Sequence, residues 1–500
     1  MSKTTSSRAR SSALDMEATK TMVAPRALGA LIESVYGHQL PGVQQLAFGD
    51  LSVMISDVTH DSHKVIPGSL FCCLFGNQSD GHDFAQDAIN AGAVALLVER
   101  KLNLNIAQVV VGDSRRAMGE FAAALYEYPS RKLRVVGVTG TNGKTSTAHL
   151  LGIILRQQGL DTRVLGTLSG ARTTPESCDL QKELWQAHIG GAQVVVMEVT
   201  SHAMSLHRVV CTEFAAAIFL NLSPEHLDFH KTQEQYFAAK ASLFQSEFTN
   251  LGIINRDDVH GRLLLDATDV ETVSFGLDDV SEIEVSLSRH GYLWRGQKVC
   301  VNLGGKFNVL NSLAAATAAA SLGVGVADIV SGLAVATSVA GRFESVASDA
   351  PFDVIVDYAH TPDALGRVLD TAREIIAPGS RIILVFGCGG DRDRMKRPMM
   401  GRVAADLADC VIVTSDNPRS EEPLDIAQQI IAGTAENERK AVISVELDRR
   451  SAIALAMMSA RKGDLVIIAG KGHETTQTIG DRILPFNDAR VAQELIGELL

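Results

Sequence analysis

The feature that most constrains this chain is the run LRVVGVTGTNGKTS, residues 133–146. A β-branched apolar segment leads into three closely spaced glycines, Gly137, Gly140 and Gly143, and then into a helical pattern opened by Lys144, Thr145 and Ser146. A strand, a glycine turn and a helix in that order turn backbone N–H groups and a helix N-terminus towards bound phosphates. Lys144 would neutralise β/γ-phosphate charge, and the Thr145 hydroxyl would bind Mg²⁺. The candidate triphosphate cradle is therefore Gly140, Thr141, Asn142, Gly143, Lys144, Thr145 and Ser146. The spacing departs from the common form of this loop, because Val138 stands where that form has its first glycine. By itself the loop fits a kinase, a GTPase or an ATP-driven ligase. No NKxD guanine motif follows, which argues against a GTPase.

At 500 residues the chain exceeds a single core, and about 150 residues per domain predicts about three domains. We expect a disordered tail over 1–25, a small α/β domain over 26–112, a central domain over 113–344 and a second doubly wound α/β unit over 345–500. The fold class is α/β. Strand-like runs at 133–138, 193–199, 215–222 and 251–255 alternate with helical stretches, as in a parallel sheet covered on both faces. Residues 270–303 alternate without helical period and read as an antiparallel excursion, and 311–324 as an Ala-rich helix. The last block has strands at 353–360, 381–387, 409–416 and 464–472, and ligands in such sheets sit beyond the strands' carboxyl ends. A net charge of -12 disfavours nucleic acid, and no apolar run reaches the ~18 residues of a membrane span. Seven scattered cysteines without a CxxC pair predict a reduced, cytoplasmic protein. The N-terminus lacks the apolar segment of a secretory signal.

Further motifs follow the loop in order. They are MEVTSHAMSLHRV (197–209), NLSPEHLDFH (221–230), YFAAK (236–240), GKFNVLN (305–311), GRFE (341–344), DYAHTPDAL (357–365), FGCGGDRDRMKRPMM (386–400), DNPRSEEP (416–423) and AGKGHE (469–474). Together with GTNGKTS they resemble the Mur ligase family from about residue 50 to the C-terminus. The resemblance implies three domains, for a UDP-linked substrate, ATP and an amino acid. It implies an ATP- and Mg²⁺-dependent amide ligase of cytoplasmic peptidoglycan precursor synthesis, active as a monomer. The implied substrates are ATP, UDP-N-acetylmuramoyl-L-alanyl-D-glutamate and meso-diaminopimelate, joined through an acyl phosphate.

The resemblance also implies site roles. Glu198 and His226 would join Thr145 as metal ligands. Lys240, read alone, is a solvated helix lysine; in the family the matching lysine is carbamylated by CO₂ and becomes an anionic metal ligand. Lys144, Glu198, His226 and Lys240 form the implied catalytic set. Asn308, Asn311, Arg342, Asp357 and His360 would contact the nucleotide; otherwise they are cap and turn residues, with Arg342 in a surface ion pair. His60, Ser62, Asn77, Gln78, Ser79, Thr173, Thr174, Thr200, Leu206 and Arg208 would meet the UDP-linked substrate. His63, Arg172 and Leu206 depart from the family pattern, which usually has Arg at the first and can have Asn and Gln at the others. Arg392, Asp416, Asn417, Pro418, Arg419, Gly470 and Glu474 would form the diaminopimelate pocket, with Arg419 forking onto the distal carboxylate. The alternative for Arg419 is an ion pair with Glu421 or Glu422.

Overall fold

The computed structural model describes residues 23–37, 46–76, 79–170, 172–346, 349–435 and 441–499. Residues 1–22 of the expected tail, and Asn77 and Gln78, lie outside the described residues. No helix among the described residues is long and apolar enough to cross a membrane.

Three sheets organise the chain. In the first, Asp57–Thr59, Ser69–Cys72, Ala93–Val98 and Ala107–Val110 run parallel, and the short strand Ala47–Phe48 closes the edge antiparallel. Its core takes in Phe121, Ala122 and Leu125 of the helix Ser114–Leu125, together with Cys178 and Trp185 from the helix Ser177–Ile189. The helix Ser114–Leu125, expected to open the central domain, thus packs into the first sheet's core, while Ser177–Ile189 is shared, with Leu180 and Leu184 turned to the central sheet. Asp113 starts the first of these helices by accepting from the Arg116 N–H.

The central sheet has six parallel strands in the order Glu271–Phe275, Leu251–Asn255, Ala216–Phe219, Arg134–Thr139, Val194–Glu198, Thr162–Leu165. One face buries the helices Lys144–Gln157, Phe307–Ser321 and Val326–Ala334; the other packs Leu180, Leu184, Tyr236 and Phe244. Two sequence expectations shift here. Only Val280–Val301 makes the three-stranded antiparallel excursion, because Glu271–Phe275 finds a free parallel edge beside Leu251–Asn255. The Ala-rich helix begins at Phe307, so Asn308 and Asn311 lie within its first turns.

The third sheet runs Glu344–Ser345, Asp353–Asp357, Leu465–Ala469, Ile382–Phe386, Cys410–Val413, Val442–Val445, parallel except for the first strand. Its strands are near-continuous Val, Ile and Leu because helices cover both faces. A hairpin of Thr476–Ile479 and Arg482–Pro485 follows, which the sequence reading left unassigned.

Candidate functional site

The strand Arg134–Thr139 lies between Val194–Glu198 and Ala216–Phe219, and the chain changes direction across the sheet at this point. The loops leaving the three strands therefore diverge and open a crevice at their carboxyl ends. A cavity of about 640 Å³ fills it. Thr141 to Ser146 form one wall and Asn311 abuts them, while Arg342, Asp357 and His360 close the cavity from the third sheet's side.

Gly143 has φ +88°, and a Cβ there would collide with the Asn311 amide, so both backbone and space require glycine. Thr141, Asn142 and Asn221 knit the loop to the segment 221–223: the Asn142 N–H donates to Asn221 Oδ1 (2.9 Å), and Asn221 Nδ2 donates to the Asn142 carbonyl (3.1 Å). Lys144 Nζ donates to the Gly140 and Thr141 carbonyls at 2.9 and 2.8 Å. Burial pulls the Lys144 pKa below its ordinary value, against the pull of Glu198 and Glu225.

Thr145 Oγ1 donates to Glu198 Oε2 (3.1 Å), and Glu198 Oε1 accepts from the Thr167 N–H (2.9 Å). The guanidinium of Arg342 donates to Thr145 Oγ1 (3.2 Å), so Arg342 reaches into the site and is not a surface ion pair. His226 has φ +57° and lines the cavity beside Glu225, its ring edge-on to His202. Hydroxyl and carboxylate oxygens make this a hard donor set suited to Mg²⁺.

Lys240 is 2% exposed, so it is not a solvated helix lysine. Its Nζ donates to the Gly140 carbonyl (2.9 Å) and lies 4.8 Å from the Tyr236 ring centre, behind the loop and not on the cavity wall. Burial first, and then neighbouring Lys144, push its pKa well down.

The other nucleotide candidates separate. Asn311 lines the cavity, whereas Asn308 is fully buried and binds the Gly304 carbonyl (2.7 Å) and the Asn311 amide (2.8 Å). Asn308 thus holds Asn311. Asp357 accepts from the Phe343 and Ala359 N–H groups, both at 2.7 Å, the second closing an Asx-turn. Burial raises its pKa. His360 points Nδ1 at the Tyr358 carbonyl (2.9 Å); burial and then Lys396 depress its pKa to about 4.

Of the candidates for the UDP-linked substrate, Thr173, Thr174, Thr200 and Arg208 line the same cavity. Thr174 Oγ1 donates to the Glu198 carbonyl (2.9 Å), and Arg208 pairs with buried Glu176 (2.8 Å). Leu206, His60, Ser62 and Ser79 do not line it. His60 Nδ1 lies 3.6 Å from Cys178 Sγ, at the seam of the first two sheets, and Ser62 opens a turn capped by Asp61.

The amino-acid candidates gather elsewhere, beyond the adjacent strands Leu465–Ala469, Ile382–Phe386 and Cys410–Val413. None of them lines the large cavity. Asn417 Nδ2 donates to Glu474 Oε2 (2.7 Å), and Asp416 is buried against Gly470, whose φ of +108° demands glycine. Pro418 is buried and Arg392 exposed. Arg419 donates from one terminal nitrogen to the Gly390 carbonyl (2.6 Å). Its proposed ion-pair partner Glu421 instead binds fully buried Arg397 through two bonds of 2.9 Å, which leaves the Arg419 fork outside that pair.

Sequence reasoning did not single out Lys471, Tyr236, Asp363 or Arg397. Lys471 is fully buried and donates to Glu474 (2.9 Å) and the Thr476 carbonyl (2.8 Å). Tyr236 meets Thr141 Oγ1 at 3.0 Å. All four lie inside the quoted motifs, which was the available signal; a buried lysine or arginine leaves no mark in hydropathy.

Profiles for the Mur ligase catalytic, middle and glutamate ligase domains match residues 54–134, 138–319 and 341–472. The chain is 43% identical over 477 residues to the UDP-N-acetylmuramoyl-L-alanyl-D-glutamate–2,6-diaminopimelate ligase of Syntrophomonas wolfei, covering 90% of this chain and 96% of that one. It is 40% identical to the protein of the same name from Aquifex aeolicus, covering 89% and 94%. A solved structure of a ligase of that name superposes with a TM-score of 0.64 at 30% identity, covering 95% of this chain and 99% of the other. The Thermotoga maritima MurF ligase in complex with ADP shares the fold, with a TM-score of 0.62 at 20% identity, covering 89% and 98%.

Proposed function

This chain belongs to the Mur ligase family, and from that premise we propose that it joins 2,6-diaminopimelate to UDP-N-acetylmuramoyl-L-alanyl-D-glutamate at the expense of ATP. The observation that carries the reading is the single cavity in which the phosphate loop, the Glu198 carboxylate and the substrate-side residues Thr173, Thr174 and Arg208 share one wall-to-wall space. A carboxylate approaching a triphosphate is repelled by roughly 4 kcal/mol per unit-charge pair at ~4 Å and an effective dielectric of ~20. Lys144 and Arg342, which line the cavity, would offset that repulsion. The D-glutamate carboxylate attacks the γ-phosphorus and ADP leaves; the amine then attacks the acyl carbon and, losing a proton, displaces inorganic phosphate.

Thr145, Glu198 and His226 are the residues that would hold Mg²⁺, which when bound supplies positive charge to the transferring phosphoryl group. Lys240 would be carbamylated in this reading, since burial favours the neutral amine, whose nitrogen attacks CO₂ and gives up a proton to leave an anionic carbamate. The family resemblance points to the meso isomer, with Arg419 and Arg392 meeting its carboxylates and Glu474 its distal ammonium. The enzyme works as a monomer in the cytoplasm.

The test is a substrate panel: diaminopimelate stereoisomers and lysine, each with the UDP-linked dipeptide and ATP, read by phosphate release and product mass. Release should need both the dipeptide and diaminopimelate. Full-rate release with the dipeptide alone, or lysine used as well as diaminopimelate, would defeat the reading.

A further inference from the structure

Asp363 stands in the first turn of the helix Pro362–Ile375, on the third sheet's side of the cavity. Thr361 caps that helix. One carboxylate oxygen of Asp363, Oδ2, receives three donors: Asn142 Nδ2 at 3.0 Å, Ser223 Oγ at 2.8 Å and Arg367 Nε at 3.0 Å. The first two belong to the central domain, Asn142 to the phosphate loop and Ser223 to the segment hydrogen-bonded to it. Thr141 Oγ1 donates to the Ser223 carbonyl (3.3 Å) and accepts from the Ser223 N–H (3.0 Å). Since the Asn142 backbone is already held by Asn221, its side-chain amide is free to be spent across the domain boundary. Two and three residues beyond Ser223 come Glu225 and His226, which line the cavity.

We propose that Asp363 is a positioning residue: it latches the amino-acid domain onto the phosphate loop, so that the loop and the 221–226 segment take their nucleotide-binding form only when that domain is closed. The physical case is one of charge and geometry. A carboxylate beside a triphosphate site is unfavourable unless donors screen it. Here Arg367 and the helix N-terminus supply that screen, and the two neutral donors supply direction. The latch also explains how a domain whose pocket lies outside the nucleotide cavity can affect it. The inference rests on the nucleotide reading of the cavity and not on the identity of the amino acid.

The test uses the full chain with Asp363→Ala, Asp363→Asn, Ser223→Ala and the double variant Ser223→Ala/Asp363→Ala. Affinity for a non-hydrolysable ATP analogue is measured by calorimetry, and the radius of gyration with and without it by small-angle scattering. Nucleotide affinity feels only the share of the latch energy coupled to it; taken as about the worth of one charge-assisted bond, Asp363→Ala should bind roughly tenfold more weakly. Its scattering profile should stay extended when the analogue is added. Asp363→Asn, which keeps an acceptor oxygen, should recover most of the affinity. The double variant should be no worse than Asp363→Ala alone. A merely structural residue would lower thermal stability without changing the scattering response. Wild-type affinity and compaction in Asp363→Ala, or additive losses in the double variant, would overturn the latch. Should Asp363→Ala fail to fold, Ser223→Ala carries the test: it should weaken binding about threefold, and no change would overturn the proposal. None of these readouts needs ligation, so a protein that closes on nucleotide but never joins the two substrates would sink the ligase reading and leave the latch standing.

Discussion

Replacing Arg419 by alanine isolates the group that would distinguish a substrate with two amino-acid ends from one with a single end. One terminal nitrogen of Arg419 is engaged by the Gly390 carbonyl at 2.6 Å, so Nε and the other terminal nitrogen remain to form a fork on a carboxylate. Hydrogen bonds to charged groups contribute roughly 1.5–3 kcal/mol each, so losing two costs about 3–6 kcal/mol, or two to four decades in apparent affinity. The alanine variant should not disturb the fold strongly, because the Arg419 backbone bonds with Thr478 and Gly480, at 3.1 and 2.7 Å, do not involve the side chain. The left-handed φ of +51° is borne equally by arginine and alanine. The assay is initial rate against diaminopimelate concentration, with the ATP KM measured in parallel. We expect the diaminopimelate KM to rise at least a hundredfold, the ATP KM to stay within about twofold, and discrimination against lysine to collapse. Arg419→Lys, which keeps the charge and loses the fork, should fall between. Equal changes in the two KM values, or a rise of only a few fold for diaminopimelate, would refute the pocket assignment.

Three other outcomes are expected. Lys240→Ala should lose activity and regain part of it with added short carboxylic acids, which can replace an anionic side chain; full activity without them would remove the carbamate. Gly143→Ala should bind ATP about tenfold or more weakly, because the residue would be strained at φ +88° and would press on Asn311, costing about 1–3 kcal/mol; a calorimetric titration with unchanged affinity contradicts this. Burial depresses the His290 pKa to about 4, below its ordinary 6.5, so the unfolded chain takes up a proton that the folded chain refuses. His290 therefore lowers stability as pH falls from about 6.5 to 4, by up to about 3 kcal/mol, and a His290→Gln variant should show a flatter melting-temperature profile over that window.

Local spacing could be read from the chain, and long-range packing could not. The phosphate loop, the parallel strands and the alternating layers were legible because they depend on local spacing: glycines where backbone must approach phosphate, and unbroken Val and Ile runs where both faces are covered. The resemblance carried the residue types of the site, and Thr145, Glu198, Asn311 and Arg342, which it assigns to one site, line one cavity. Long-range partners were not legible. Val270–Leu303 read as one antiparallel unit because alternation is the same in an edge strand of a parallel sheet and in a hairpin; only the free edge beside Leu251–Asn255 separates them. Nor could a string of letters tell that Glu421 pairs with Arg397, that Asn308 supports Asn311 from behind the cavity, or that Asp363 bridges two domains. Lys240 shows the difference most sharply. Its position was readable in YFAAK, but its chemistry follows from being taken out of water beside another lysine, and that environment exists only once the helix Gln233–Ala241 is packed against the Gly140 turn.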